Sequence, residues 1–308
     1  MTRLPLVTVI IPTYNHAHFL REALQSVCVQ TFSDWEVIVV NNFSDDDTIA
    51  VVESFADPRI RLENFRNNGV IAASRNRGIA LARGKYLAFL DSDDIWYPEK
   101  LARCMAGFDN GVGLVCHGLR WFGNQERDMF CGPEKRTTFD GLLDEGNCIT
   151  PSATVVLKDL VEAVGCFSED PAIVTSEDYH LWIKLARAGI KTHCIKQILG
   201  RYRIHSGNQS GAIVHHLNSV LCVVEQFFPN VASRNLGMKM RVRRRFCTAY
   251  YGAGRALQRN GEFALSWPYF FRAVAYSPCF MKNYVAIMFG LVGSVKKPLS
   301  GLKLVKED

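Results

Sequence analysis

A hydrophobic run passes directly into a cluster of acids at residues 85–94, KYLAFLDSDD. Residues 85–90 have the composition of a buried β-strand, so the acids follow its carboxyl end. In an open α/β sheet, ligands bind in the crevice outside the carboxyl ends of the strands. Asp91 and Asp93 would point the same way on an extended segment, and Mg²⁺ or Mn²⁺ beside a phosphate commonly uses one or two carboxylates. The pattern predicts a metal-diphosphate site, with a solvated Asp-rich turn as the alternative.

Strand and helix patterns alternate ahead of this stretch. Apolar runs predict strands at residues 6–11, 35–40, 60–64 and 85–90, and helical periodicity predicts helices at residues 19–28, 45–55 and 70–82. Ser44 and Asp47 predict a capping box for the second helix. This alternation indicates an α/β fold with a mostly parallel central sheet flanked by helices. This half lacks the glycine-rich turns of dinucleotide-binding and phosphate-loop enzymes, so neither hydride transfer nor ATP hydrolysis is favoured.

Composition restricts the environment and the partners. The 308 residues carry a formal net charge of +6, which suits an anionic substrate or an anionic membrane surface. We predict no nucleic-acid partner, although the charge alone would allow one. The ten cysteines include no Cys-x-x-Cys pair, so they indicate small apolar residues in a reducing cytosol rather than a zinc site. Without a secretory signal or a long apolar stretch, we expect a cytoplasmic chain that can associate peripherally with the inner face of the cell membrane.

Short motifs in a fixed order carry a family resemblance. They are PTYN at 12–15, NNFSDDDT at 41–48, NG at 68–69 with RNRG at 75–78, LDSDD at 90–94 and ED at 177–178. Together they resemble the family 2 glycosyltransferases of GT-A fold, over about residues 6 to 205. The resemblance implies a GT-A domain at residues 1–210, followed by a helical C-terminal region at residues 211–308. It also implies an inverting, metal-dependent transferase that uses Mn²⁺ or Mg²⁺.

The resemblance assigns residues to the nucleotide sugar. Tyr14 would stack on the base, and Arg75 would contact the nucleotide or its phosphates with its fork of donors. The family has an Asp that receives the uracil imide proton where this chain has Asn41, and an Asn can still accept that bond through its carbonyl. The remaining predicted contacts are Pro12, Asp91 and Ser92. As alternatives, Asn41 lies in a simple turn and Arg75 is a surface cation on a helix.

The catalytic and metal residues follow from the same resemblance. Asp178 would take the proton of the acceptor hydroxyl and Glu177 would support the site. The alternative is that both acids merely stabilise the start of a helix capped by Ser176. Asp93 and Asp91 would hold the metal, and His205 is the candidate third ligand, although a lone His is more often a loop or core residue. The expected reaction is one in-line displacement with inversion at the anomeric carbon.

From about residue 213 the pattern is helical. A basic run at 241–245 and an apolar segment at 286–292 flanked by lysines can lie on an anionic membrane, or the segment can complete a helical core. The predicted function is sugar transfer from a UDP-sugar to a saccharide or lipid-linked saccharide, in cell-surface polysaccharide biosynthesis. The alternatives are a catalytically silent nucleotide-sugar-binding module and a sugar nucleotidyltransferase. The sequence predicts no particular oligomeric state.

Overall fold

A computed structural model describes residues 4–205, 212–228 and 235–296. The chain divides into two compact units, residues 1–211 and 212–308. The strands are β1 Val7–Thr13, β2 Trp35–Asn41, β3 Ile60–Asn64, β4 Tyr86–Phe89, β5 Ile95–Trp96, β6 Val112–Gly123, β7 Arg127–Phe130, β8 Thr154–Leu157 and β9 Lys191–Ile204. The helices of the first unit are α1 Ala17–Cys28, α2 Thr48–Glu53, α3 Ile71–Leu81, α4 Lys100–Ala106, α5 Phe139–Glu145, α6 Lys158–Ala163 and α7 Glu177–Arg187. The second unit contains α8 Ile213–Phe227, α9 Leu236–Arg259, α10 Phe263–Tyr276 and α11 Lys282–Lys296.

The central sheet is parallel in its first half and mixed in its second. Its strand order is β3-β2-β1-β4-β8-β6-β9-β5. Strand β7 lies outside this order and pairs with β6. Strands β1 to β4 pair in parallel, as the sequence predicts. Beyond β4 the prediction of a mostly parallel sheet is wrong, because β8 runs antiparallel to both β4 and β6, and β5 runs antiparallel to β9. Among the described strands beyond β4, only β6 and β9 pair in parallel.

Strand β1 is buried on both faces. Val9 and Ile11 belong to the same core cluster as Leu20 and Leu24 of α1. On the opposite face, Ile10 meets α3 at Gly78, where an added Cβ would lie 2.5 Å from the Ile10 side chain. This two-sided burial explains the continuous apolar run, which is typical of a parallel strand covered by helices.

The second helix begins later than predicted, and the predicted capping box does not form. Helix α2 starts at Thr48, and no side-chain cap bond forms at Asp47. Asp46 instead accepts from the backbone N–H and the hydroxyl of Thr48, and also from the backbone N–H of Ala17. Ser44 bonds to Asn41. The prediction failed because Asp46, rather than Ser44, accepts from the first backbone N–H groups of α1 and α2, whereas Ser44 is bonded to Asn41.

Candidate active site

Polar side chains gather at the carboxyl ends of the parallel strands. Strands β1, β2 and β4 end at Thr13, Asn41 and Phe89, and helix α7 begins at Glu177. One buried side chain joins the acids of β4 and α7. Arg75, on α3, donates from Nη2 to Asp91 at 2.8 Å and from Nη1 to Glu177 at 2.7 Å. The acids predicted from separate motifs therefore lie around one guanidinium group.

The predicted phosphate contact of Arg75 does not fit this geometry. Its side chain is 4% exposed, and both terminal nitrogens are paired with carboxylates. Arg75 instead positions Asp91 and Glu177. Glu177 is buried, and the supporting role that the resemblance implies for it remains a prediction.

Asp178 is the accessible acid at the start of α7. It is half-buried, unlike Glu177 beside it. Asn147 donates to its Oδ2 at 3.1 Å, and the Tyr179 backbone N–H donates to Oδ1 at 2.7 Å. Burial and the Glu177 carboxylate raise the pKa of Asp178 to about 7, against the opposing effect of Arg75. A carboxylate with a pKa near neutrality suits a group that must accept a proton. The predicted cap at Ser176 does not form, because its side chain makes no cap bond.

The acids after β4 do not share one direction. Asp93 lies 2.9 Å from Nε2 of His205, whereas Asp91 is turned toward Arg75, so the expectation that they point the same way is wrong. The chain turns at this point, because Asp94 N–H donates to the Asp91 carbonyl. Asp94 itself is buried and accepts from the Arg203 backbone N–H at 2.9 Å.

Asp93 and His205 fit one side of a divalent cation site. Burial and the neighbouring Asp91 raise the pKa of Asp93, against the opposing effect of the bond to His205, so a bound cation would stabilise its ionised form. Within the described ranges no group of at least three His, Cys, Asp or Glu side chains has metal-binding geometry. A carboxylate and an imidazole would therefore supply part of a coordination sphere that Mg²⁺ or Mn²⁺ completes with water and phosphate oxygens. Asp91 is not placed as a metal ligand.

Two predicted nucleotide-sugar contacts are buried in the protein. Pro12 lies inside β1, in register with Val40 of β2. Ser92 is 4% exposed, and its Oγ lies 3.0 Å from Nδ1 of His16. Neither side chain is exposed, and the Ser92 hydroxyl already has His16 as a partner, so contact of these two residues with the nucleotide sugar remains a prediction.

A cavity of 620 Å³ adjoins the ends of β2 and β3. Its lining residues are Tyr14, Asn41, Asn42, Phe43, Ser44, Asp45, Ile49, Asn64, Arg66 and Asn68. Tyr14 is 51% exposed, so its ring can be reached from the cavity, and its stacking on a base remains a prediction. The Arg66 guanidinium lies 4.9 Å from the centre of the exposed Phe43 ring. The cavity thus offers aromatic surface and polar groups at the sheet edge.

Asn41 does not present its amide to this cavity. Its exposure is 0%, its Oδ1 accepts from the backbone N–H and the hydroxyl of Ser44, and its Nδ2 donates to Oδ1 of Asn64 at 2.8 Å. The predicted direct bond from Asn41 to the base is therefore wrong. The exposed residue beside it is Asn64.

Comparison with known proteins identifies the family. The family model described as glycosyl transferase family 2 matches residues 8–158. An Escherichia coli protein, UDP-Glc:alpha-D-GlcNAc-diphosphoundecaprenol beta-1,3-glucosyltransferase WfgD, is 30% identical over 74% of this chain and 89% of its own length. The chain belongs to glycosyltransferase family 2.

One further sequence relative and two solved structures are also similar to this family 2 glycosyltransferase. The putative teichuronic acid biosynthesis glycosyltransferase TuaG of Bacillus subtilis is 30% identical over 65% of this chain and 79% of its own. The S. aureus TarS 1–349 complex with UDP-GlcNAc superposes with a TM-score of 0.64 at 18% identity, covering 94% of this chain and 92% of TarS 1–349. The mannosyltransferase PcManGT of Pyrobaculum calidifontis, in complex with GDP-Man and Mn²⁺, gives a TM-score of 0.62 at 18% identity, over 96% of this chain and 82% of its own. These structures confirm the predicted GT-A fold.

Two residues of the candidate site, Asn147 and Asn64, were not predicted from the sequence. Asn147 bonds to Asp178 from a segment that carried no motif. Asn64 is the last residue of β3 and is paired in register with Asn41. The sequence did contain a signal for Asn64, because the strand predicted at residues 60–64 ends at this residue. Parallel strands end at one edge of the sheet, so the last residue of this strand is expected near the last residue of β2.

Proposed function

We propose that this glycosyltransferase moves a sugar from a UDP-sugar to a saccharide or lipid-linked acceptor, with inversion at the anomeric carbon. The observation that carries the proposal is the bridge from Asp91 through Arg75 to Glu177, which brings the acids after β4 next to Asp178. The relatives support the donor and acceptor classes, since WfgD is named for a UDP-sugar donor and a diphosphoundecaprenol acceptor. The name of TuaG supports a role in cell-surface polysaccharide biosynthesis.

The residues divide the reaction between them. Asp178 accepts the proton of the acceptor hydroxyl as its oxygen attacks the anomeric carbon, and the bond from that carbon to the diphosphate breaks. Asn147 holds the Asp178 carboxylate, and Arg75 with Glu177 fixes the helix start that carries it. Asp93 and His205 would hold Mn²⁺ or Mg²⁺. When bound, the metal would neutralise charge on the departing diphosphate.

Metal dependence provides the test of this function. We expect the purified protein to release UDP from a UDP-sugar in the presence of Mn²⁺, slowly without acceptor and faster with one. EDTA and Asp93→Asn should each lower UDP release by roughly 10²-fold or more, because the leaving group loses its charge neutralisation. The measurement is UDP formed per enzyme, with Mn²⁺ added back after EDTA as the control. Binding of UDP-sugar without release in the wild type would favour the silent binding module instead.

The rate should depend on pH through Asp178. Its pKa is raised to about 7 by burial and by Glu177, so the carboxylate becomes protonated as pH falls through that value. A protonated Asp178 cannot accept the hydroxyl proton, and kcat should fall about tenfold per pH unit below the pKa and level off above it. The measurement is kcat from about pH 5.5 to 8.5, with nucleotide affinity at each pH as the control. A flat profile would contradict the assignment.

We further propose that α11 contacts an anionic membrane surface. Its inward residues are small, with Ala286 and Gly290 buried, whereas Val285, Met288 and Phe289 are 69%, 61% and 54% exposed. Large apolar side chains on the exposed face of a helix are typical of an interfacial segment. The basic run at residues 241–245 lies on α9 of the same unit. Lys296 falls where only the backbone is described, and Lys297 lies outside the described residues. No described helix is both long enough and apolar enough to span a membrane.

Vesicle binding tests the α11 surface. Replacing Val285, Met288 and Phe289 by Ser should weaken co-sedimentation with anionic phospholipid vesicles by about tenfold or more, because their apolar area no longer leaves water. Val29→Ser, an exposed apolar residue of the first unit, is the matched control. Unchanged vesicle binding by the triple variant would contradict the proposal, and so would wild-type self-association in place of vesicle binding.

A further inference from the structure

The amide of Asn41 has one orientation. A backbone N–H can only donate, so the atom of Asn41 that faces the Ser44 N–H at 3.1 Å must be the oxygen. The Ser44 hydroxyl donates to the same oxygen at 2.6 Å and accepts from the Asn15 backbone N–H at 2.9 Å. The Nδ2 group of Asn41 is therefore fixed on the side of Asn64.

This orientation determines which end of Asn64 is available. Oδ1 of Asn64 accepts from Asn41 at 2.8 Å. Asn64 is exposed and lines the cavity, and its Nδ2 makes no hydrogen bond to any part of the chain that the structure describes. A carboxamide whose oxygen is turned inward offers N–H donors outward. The cavity wall thus presents a donor at this position.

The other lining groups suit a flat base. Tyr14 and Phe43 are 51% and 48% exposed and supply aromatic surface. Phe43 has a φ of 54°, in the left-handed region that non-glycine residues rarely adopt. The rest of the fold therefore holds this ring at the cavity in spite of unfavourable backbone energy. Arg66 adds a cationic donor, and Asp45 is the carboxylate among the lining residues.

We propose that Asn64 reads the base and that Asn41 is a positioning residue which turns the N–H groups of Asn64 toward it. The proposal rests on the proposed function, because it assumes that the cavity receives the nucleotide of the donor. Uracil carries a donor at N3 between two carbonyl acceptors, whereas cytosine carries an acceptor at N3 next to its carbonyl. A donor on the wall pairs with either base. The site should therefore bind CDP within about threefold of UDP, since the group that Asn64 turns toward the base is a donor and cannot select the uracil N3–H.

Two substitutions should restore selection for uracil by different routes. Asn41→Asp keeps an oxygen for Ser44 and places a second one against Asn64, whose amide then turns its N–H groups inward and its oxygen toward the base. Asn64→Asp accepts from Asn41 with one oxygen and presents the other to the cavity directly. Each should raise the ratio of UDP affinity to CDP affinity by about tenfold or more, because an acceptor now meets the uracil N3–H and repels the cytosine N3.

The experiment is calorimetric titration of the full chain with UDP and with CDP, both in Mn²⁺. Asp45→Asn tests the lining carboxylate separately, and Asp47→Asn, which changes an exposed acid outside the cavity lining, is the matched control and should leave the ratio within about twofold of the wild type. A wild-type preference for UDP above about tenfold overturns the inference, as do unchanged ratios in both aspartate variants or a ratio that follows Asp45. These outcomes leave the transferase function intact. If the wild type binds neither nucleotide, the proposed function fails, and the inference fails with it.

Discussion

Asp178→Asn lowers the rate of sugar transfer by roughly 10²- to 10⁴-fold and leaves UDP affinity within about threefold, because general base catalysis is lost while the nucleotide contacts remain. The two side chains have the same shape, and an Asn oxygen can still accept from the Tyr179 backbone N–H. The measurement is kcat and KM for transfer, together with UDP affinity by titration.

Two opposing effects act on the stability of this variant. The folded state raises the pKa of Asp178, so ionisation of the carboxyl group opposes folding at neutral pH. An uncharged Asn removes that cost but loses the hydrogen bond from Asn147, whose own oxygen is held by the Ile149 backbone N–H, so the free energy of unfolding should stay within about 1 kcal/mol of the wild type. Asp159→Asn, which changes an exposed acid in the first turn of α6, is the matched control and should transfer sugar at the wild-type rate. Retention of more than about a tenth of the wild-type kcat by Asp178→Asn would remove Asp178 from the role of base.

Arg75→Met should lower the free energy of unfolding by about 3–5 kcal/mol, because it leaves the buried Glu177 and the half-buried Asp91 without their shared cation. Transfer should be lost as well, since the start of α7 no longer holds Asp178 in place. Urea denaturation measures the stability change, and UDP affinity at low temperature measures how much of the site remains folded.

A second arginine on α3 gives the matched control. Arg77 pairs with Glu63 at 2.7 Å, but its side chain is 40% exposed, so Arg77→Met should cost no more than about 1 kcal/mol. Adding Glu177→Gln to Arg75→Met should recover part of the lost stability, because one uncompensated charge is removed. Equal losses for Arg75→Met and Arg77→Met would show that burial of the Arg75 pairs has no special effect.

The parallel half of the sheet could be predicted from the sequence because burial on both faces produces a recognisable pattern in the local sequence. A strand between two helix layers must be apolar throughout, and its helices must repeat at their own period, as β1 and α1 do. The directions of the strands in the mixed half produce no such pattern. Strands β8 and β6 pair through residues far apart in the chain, and strand direction depends on the connections between them rather than on composition.

The catalytic pair Glu177 and Asp178, the metal pair Asp93 and His205, and Tyr14 remain predictions drawn from motifs, and the structure places them at one edge of the sheet. What each polar group faces was decided only by the tertiary structure. Arg75 binds two carboxylates instead of the phosphates that the resemblance implies. Asn41 is bonded to Ser44 and Asn64. The physical reason is that a motif fixes which groups reach the end of a strand. The partner of each group is decided by whichever donor or acceptor the rest of the fold brings within hydrogen-bond distance.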